Sequence, residues 1–240
     1  MLPIRCIEDL NSIKILILII VTVSINFNFL SGAYAQQQQQ QQTDSNTKNN
    51  NNNIQNEEAV PKPIVHVTIE GTENNDKVKG GDGNDNLNGA NGDDTLNGGQ
   101  GDDTISGDEG NDKLNGQLGD DEVDGAEGND QIKGEGGDDE ITGKKGDDKL
   151  DGGKGNDEVD GGEGNDNIKG GDGNDEVDGA EGNDNIVGGE GKDKLKGGKG
   201  ADTFICDLAD KISDFDSADG DKKIGQCSVI DKSEPELPTA

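Results

Sequence analysis

The sequence has no tryptophan, a single histidine (His66), a single tyrosine (Tyr34) and four phenylalanines. Without aromatic platforms, base stacking and sugar stacking lose their usual footing. Basic residues are scarce as well. Lys and Arg number 21 against 53 Asp and Glu, for a formal net charge of −32. A chain of that sign repels phosphate, so nucleic acid is disfavoured as a partner on both grounds. One histidine and three cysteines leave little for catalysis or for a zinc site. Hydrophobic residues make up only 26% of the 240 positions, too few for a domain built on one conventional apolar core.

Long hydrophobic runs are missing too. The apolar stretch at 15–23, ILILIIVTV, is nine residues long, where a bilayer span needs roughly 18–20. Arg5 and Lys14 precede it and Ala33-Tyr34-Ala35 follows it. A charged start, a short apolar stretch and small residues at the exit predict a secretory signal peptide over 1–35, cleaved after Ala35. An uncleaved anchor is the alternative. Cleavage leaves no membrane span and a mature chain that keeps the whole charge of −32, because Arg5 and Lys14 cancel Glu8 and Asp9. Residues 36–63 hold seven consecutive glutamines (Gln36 to Gln42) and five consecutive asparagines (Asn49 to Asn53). A segment this polar cannot offset its ordering entropy, and it is predicted to be a disordered linker. Pro61 and Pro63 mark its end. Residues 64–69, IVHVTI, alternate as a strand, with Val65, Val67 and Ile69 on one face and His66 beside Thr68 on the other. His66 reads as a solvated side chain, since no cysteine or second histidine completes a metal site around it.

What the sequence has in excess is glycine. Of its 40 glycines, 36 lie between Gly80 and Ile205, which divide without a gap into fourteen units of nine residues. The first is GGDGNDNLN (80–88), a middle one is GGEGNDNIK (161–169) and the last is GGKGADTFI (197–205). Positions 1 and 4 are Gly and position 6 is Asp in all fourteen. Position 8 is always a large apolar residue, from Leu87 to Phe204. The preceding GTENNDKVK (71–79) keeps Gly71, Asp76 and Val78, with Asn74 at position 4. Residues 64–79 are therefore expected to form an N-terminal capping strand and a degenerate first repeat.

This pattern resembles the RTX, or hemolysin-type, calcium-binding nonapeptide family, G-G-x-G-x-D-x-U-x. The closing run ADTFI (201–205), with Asp210-Lys211-Ile212 and Asp214-Phe215, looks like the end of such an array. The resemblance implies an all-β fold, a calcium-stabilised parallel β-roll solenoid of about fourteen repeats over 80–205, with a C-terminal cap and tail over 206–240. Elementary physics agrees. Glycines at positions 1 and 4 let the first six residues curl, and the last three extend with the position-8 side chain inward. Two units complete one coil, so fourteen give seven coils, roughly 34 Å long at ~4.8 Å per stacked strand. A disordered acidic tail would not explain why position 8 stays apolar while its neighbours vary.

One aliphatic residue in nine is a thin core, and the block carries 36 acidic residues against 11 basic ones. A bound cation is therefore needed. Calcium, a hard ion taking six to eight oxygens in flexible geometry, suits carboxylates and turn carbonyls better than magnesium or zinc. The candidate ligands are the position-6 side chains: Asp85, Asp94, Asp103, Asp112, Asp121, Asp130, Asp139, Asp148, Asp157, Asp166, Asp175, Asp184, Asp193 and Asp202. The resemblance implies that each ion lies between turns two units apart, Asp85 with Asp103 and Asp94 with Asp112, for about twelve ions. Without calcium the block is expected to be disordered, so that folding is coupled to metal binding.

Cys206 and Cys227 flank the C-terminal cap and, in an oxidising compartment, read as one disulfide, with two free thiols as the alternative. Asp219 and Asp221 read as a solvated acidic loop. No H-E-x-x-H and no G-x-S-x-G within a hydrolase-sized segment is present, so an enzyme is not expected. The expected function is that of a secreted or cell-surface calcium-binding protein, folding outside the cell into a rigid acidic rod with a structural or adhesive role. A module that binds cell-surface or matrix components is the alternative, and a remnant or accessory of an exoenzyme or toxin of this family is the third reading.

Overall fold

The repeat alternates a residue pair that can face inward with a turn that cannot be straight. In KLDGGK (149–154), Leu150 and Gly152 are buried while Lys149 and Lys154 are exposed and Asp151 and Gly153 lie between. That is the period-two pattern of a strand, running from position 7 of one repeat into position 3 of the next. The computed structural model describes residues 64–230, and all of their regular structure is β. The signal peptide and linker expected over 1–63 and the end of the tail, 231–240, lie outside the described residues.

Nineteen strands follow one another. They are β1 (Thr68–Thr72), β2 (Lys77–Asp82), β3 (Asn86–Ala90), β4 (Thr95–Gln100), β5 (Thr104–Ser106), β6 (Lys113–Leu118), β7 (Glu122–Glu127), β8 (Gln131–Gly136), β9 (Glu140–Lys145) and β10 (Lys149–Lys154). Then come β11 (Glu158–Glu163), β12 (Asn167–Gly173), β13 (Glu176–Glu181), β14 (Asn185–Gly191), β15 (Lys194–Lys196), β16 (Thr203–Cys206), β17 (Lys211–Ile212), β18 (Lys222–Gly225) and β19 (Ser228–Val229). Odd strands form one sheet of ten and even strands a second of nine. Every pairing is parallel, and between repeats the register is eighteen residues, as in Leu150 with Ile168 and Val159 with Val177. Two repeats therefore make one coil.

The core is a double file. Leu87, Ile105, Val123, Ile141, Val159, Val177 and Leu195 from one sheet meet Leu96, Leu114, Ile132, Leu150, Ile168, Ile186 and Phe204 from the other, all at 2% exposure or less. These are the fourteen position-8 residues. Burial of a large aliphatic side chain contributes about 1.5–3 kcal/mol, so this file holds the strands in register but is a thin core for so long an array.

The fourteen repeats supply β3 to β16, seven coils, but the solenoid runs to about nine. The surplus comes from both ends, where degenerate segments keep the coiling path. At the start, the strand expected over 64–69 begins instead at Thr68, and Val65 is 51% exposed rather than inward. Val67 and Ile69 do pack against the core. At the far end, β17, β18 and β19 extend the sheets, with the unapolar Lys223 paired opposite Phe204. Cys206 and Cys227 are disulfide-bonded, which ties the end of β16 to the segment between β18 and β19. Phe215 packs near Phe204 with ring centroids 6.2 Å apart. Among the described residues no helix is long and apolar enough to cross a membrane.

Candidate metal centre

The turns place all fourteen position-6 aspartates inside the protein, at 3% exposure or less. They stand in two columns, one along each edge of the roll. In the first, the Asp85 amide donates to Asp103 Oδ1 (2.7 Å), the Asp103 amide to Asp121 Oδ1 (2.8 Å), and so on to Asp193. In the second, the Asp94 amide donates to Asp112 Oδ1 (2.7 Å) and the series continues to Asp202. Residues two units apart are thus brought together, the pairing that the family resemblance implied.

The other carboxylate oxygen has no partner. Oδ2 of each of the fourteen is buried and accepts no hydrogen bond. A buried polar group left this way costs roughly 1–3 kcal/mol, and more when charged. Fourteen in register form rows of oxygen donors suited to a positive ion. The glycine at position 1 explains the space. A Cβ on Gly152 would lie 2.5 Å from Asp157 Oδ2 and 2.5 Å from the Gly170 carbonyl oxygen one coil on. The same holds at Gly134, where the neighbours are Asp139 Oδ2 and the Gly152 carbonyl. Carboxylate and carbonyl oxygens therefore converge where a side chain would otherwise sit. Among the described residues no three carboxylate, imidazole or thiol side chains gather at one point. The donors at hand are the aspartate carboxylates and the backbone carbonyls of the turns, a set that suits a large, oxygen-seeking ion rather than zinc.

The sequence assigned the wrong reason to that glycine. Position 1 never adopts a left-handed angle; position 4 does in all fourteen repeats, and so does position 2. Position 2 is Ala, Asp, Gln, Glu or Lys in seven repeats, for example Ala90 (φ 73°) and Lys144 (φ 71°). Glycine at position 1 answers to steric contact, and tolerance at position 2 hides a strained backbone.

The ends of the columns differ from the interior. Asp76 Oδ2 accepts from the Thr72 amide (2.7 Å) and hydroxyl (2.8 Å). Asp210 accepts from the Asp193 amide at Oδ1 and the Asp207 amide at Oδ2. Asp221, expected in a solvated loop, accepts from the Asp202 and Asp216 amides instead. These capping carboxylates carry no orphaned oxygen. His66 is likewise not merely solvated, since the Asn84 amide donates to its Nδ1 at 2.8 Å. It stands at the head of an outer ladder of position-5 side chains, in which the Asp102 amide donates to Asn84 Oδ1 and the Asp120 amide to Asp102 Oδ1. A shallow groove of about 240 Å³ beside that ladder is lined by Asp102, Asp120, Asp138, Glu122 and Glu140, among others.

Burial pushes the carboxyls of Asp121, Asp130 and Asp184 up to about 7. It pushes Asp139, Asp157, Asp166, Asp175 and Asp193 up to about 6. The amide of the previous coil opposes the shift in each case, and neighbouring carboxylates mostly add to it. The folded chain without metal therefore holds protons that the unfolded chain, near 3.8, has released. Its stability is present at low pH and is lost as pH rises through about 6–7. In chelator, the β signal in far-UV circular dichroism is expected to grow between about pH 7.5 and pH 4.5, while the calcium midpoint rises on acidification because protons compete for the same oxygens. A chelated chain whose β signal is flat across that range would show that the buried aspartates do not govern folding.

A comparison with curated proteins found no match. The family model described as RTX calcium-binding nonapeptide repeat (4 copies) matches residues 68–96, 97–132, 133–168, 151–186 and 169–204. Together these matches span more than half of the chain, from the first strand to Phe204, the last of the fourteen position-8 core residues. The family's repeats bind calcium, and the buried, orphaned aspartates fit that ion. With nonapeptide matches over that span and a parallel β-roll beneath them, the chain belongs to the RTX calcium-binding nonapeptide-repeat family.

Proposed function

We infer that this protein is exported and that its roll folds outside the cell when it meets calcium, serving there as a rigid acidic structural or adhesive rod. The observation that carries the reading is the orphaned Oδ2 on all fourteen position-6 aspartates, buried beside backbone carbonyls. Unmetallated, these charges repel and lack partners. With calcium between successive turns, about twelve ions on the pairing of adjacent coils, most of the block's negative charge is neutralised. The position-6 carboxylates and turn carbonyls hold the ions, and the apolar file beneath keeps the strands in register. Such sites suit calcium at about 10⁻⁴–10⁻³ M, the range of extracellular modules. Export before folding follows from the low calcium inside a cell, and the signal-like segment at 1–35 supports it.

The test is far-UV circular dichroism titrated with calcium and, separately, with magnesium. A cooperative coil-to-β transition with calcium, reversed by chelator and not reproduced by magnesium, is the expected result. A chain that is fully β-rich in chelator at neutral pH, or that stays disordered in millimolar calcium, would overturn the reading. Secretion is checked apart from this, by sequencing the N-terminus of protein recovered outside the cell, where a start at Gln36 is expected.

A further inference from the structure

Because odd and even repeats feed different sheets, any difference between them becomes a difference between the two faces of the roll. The outward residues flanking the buried aliphatic one, positions 7 and 9, differ sharply in charge. On the odd-numbered sheet, from β7 to β13, these positions hold seven carboxylates and no cation, with Glu122, Glu140, Glu158 and Glu176 stacked directly over one another. On the even-numbered sheet, from β6 to β12, they hold four lysines against one acid, Asp151. Those lysines, Lys113, Lys133, Lys149 and Lys169, fall one to a strand on four successive strands and are all exposed. In a chain of net charge −32 this segregation is unexpected from composition.

Some of these charges are already used. Lys169 pairs with Asp151, Lys194 with Glu176, and Lys144 with Asp124. Glu122, Glu140 and Glu158 on one face and Lys113, Lys133 and Lys149 on the other have no ion-pair partner among the described residues. The two sets lie on the same coils and share the same strand spacing, about 4.8 Å.

We propose that the acidic face, β7–β13, docks on the lysine face, β6–β12, of a second copy of this chain, so that calcium-loaded rolls stack side by side. The two surfaces match in sign, in repeat distance and in length, and a translation across the thickness of the roll brings one onto the other with coils aligned. The contact joins unlike faces, so it does not close on itself and builds open stacks rather than dimers. Four strands of six residues give about 400 Å² per copy, smaller than a stable pair interface, so the contact is weak, salt-sensitive and effective only when repeated. Calcium is required twice, to form the faces and to neutralise the buried aspartates that would hold like-charged copies apart. The proposal thus rests on the calcium-folded roll described above.

The experiment is sedimentation velocity of the full chain in saturating calcium, with circular dichroism on the same samples. At about 20 mM salt the mass is expected to exceed the monomer and rise with protein concentration, and at about 0.5 M salt to return to monomer. Two exposed charge-swap sets separate this face from others: Lys113→Glu, Lys133→Glu, Lys149→Glu and Lys169→Glu together, and Glu122→Lys, Glu140→Lys, Glu158→Lys and Glu176→Lys together. Each set alone is expected to remain monomeric while still showing the calcium-induced β signal, and the two mixed are expected to associate again. A folded parent that is monomeric at low salt overturns the proposal. So does association that survives both swaps, or a folded monomer whose lysine face is instead occupied by a sulfated polysaccharide. If no β signal appears with calcium, the calcium reading itself has failed, and the dichroism distinguishes that outcome from a folded roll that does not stack.

Discussion

Replacing Asp121, Asp139, Asp157 and Asp175 together by asparagine is expected to move the chain in opposite directions with and without calcium. All four belong to one column, and each Oδ1 accepts the amide of the previous coil, as Asp157 Oδ1 accepts from the Asp139 amide at 2.9 Å. Asparagine keeps that acceptor. Its amide nitrogen takes the place of Oδ2, a donor where the carboxylate had only an acceptor, on the side of the turn where the Gly170 carbonyl also lies. Four buried like charges disappear at once, each an orphan worth roughly 1–3 kcal/mol, though adjacent coils will not add independently. In chelator, the variant should therefore show more β structure than the parent at neutral pH. In calcium it should bind fewer ions and gain little further structure along that edge. Dichroism with and without chelator, together with the ion stoichiometry from calorimetry, checks both halves. An unchanged ion count would mean that these side chains are not ligands, and an equally disordered apo state would mean that their charge is not what opposes folding.

A single methyl group should be nearly as informative. Gly152→Ala places Cβ 2.5 Å from both Asp157 Oδ2 and the Gly170 carbonyl oxygen, and neither has room to retreat, because the Asp157 carboxylate is held through its Oδ1 by the Asp139 amide of the coil before and the carbonyl belongs to the backbone of the coil after. The expected loss is about 1–3 kcal/mol, seen as a calcium midpoint shifted to higher concentration and a lower unfolding temperature in saturating calcium. Ala180→Gly, one position on in its own repeat, should do the reverse. Ala180 sits at φ 70°, a conformation that is unfavourable for alanine by about 1–2 kcal/mol, against an entropic penalty for glycine of about 0.5–1 kcal/mol. That variant is expected to be neutral or slightly stabilised. Equal effects for the two would mean that backbone angle, not space, sets the glycine pattern.

That contrast shows what could be read from the sequence and what could not. Position 8 and position 6 were legible because each demands one kind of side chain, apolar to fill the core or carboxylate to face the turn. The spacing of eighteen between paired aspartates followed once two repeats were taken as a coil. Position 2 was illegible because it accepts Ala, Asp, Gln, Glu and Lys as well as Gly, so its backbone strain leaves no residue signature. The ends were underestimated for a related reason. Val67 takes the place of an aspartate through its amide alone, donating to Asp85 Oδ1 at 2.7 Å, and a main-chain role can be filled by any residue but proline. At the other end the spacing slips, seventeen residues from Asp193 to Asp210 and nineteen from Asp202 to Asp221. A search for nines passes over both, whereas the hydrogen-bonded columns continue through them.

Alternation between the sheets also makes the array sensitive to parity. Duplicating eighteen residues would lengthen the rod by one full turn and leave every later strand in the sheet where it began. Inserting nine would hand each later strand to the opposite sheet. The aliphatic file would be undisturbed, because position 8 faces inward from either side. The surface beyond the insertion would be inverted, with the stacked glutamates continuing a lysine face and the lysines a glutamate one. Growth of such a gene by single repeats is therefore neutral for the interior but scrambles the exterior, and only growth in pairs preserves both.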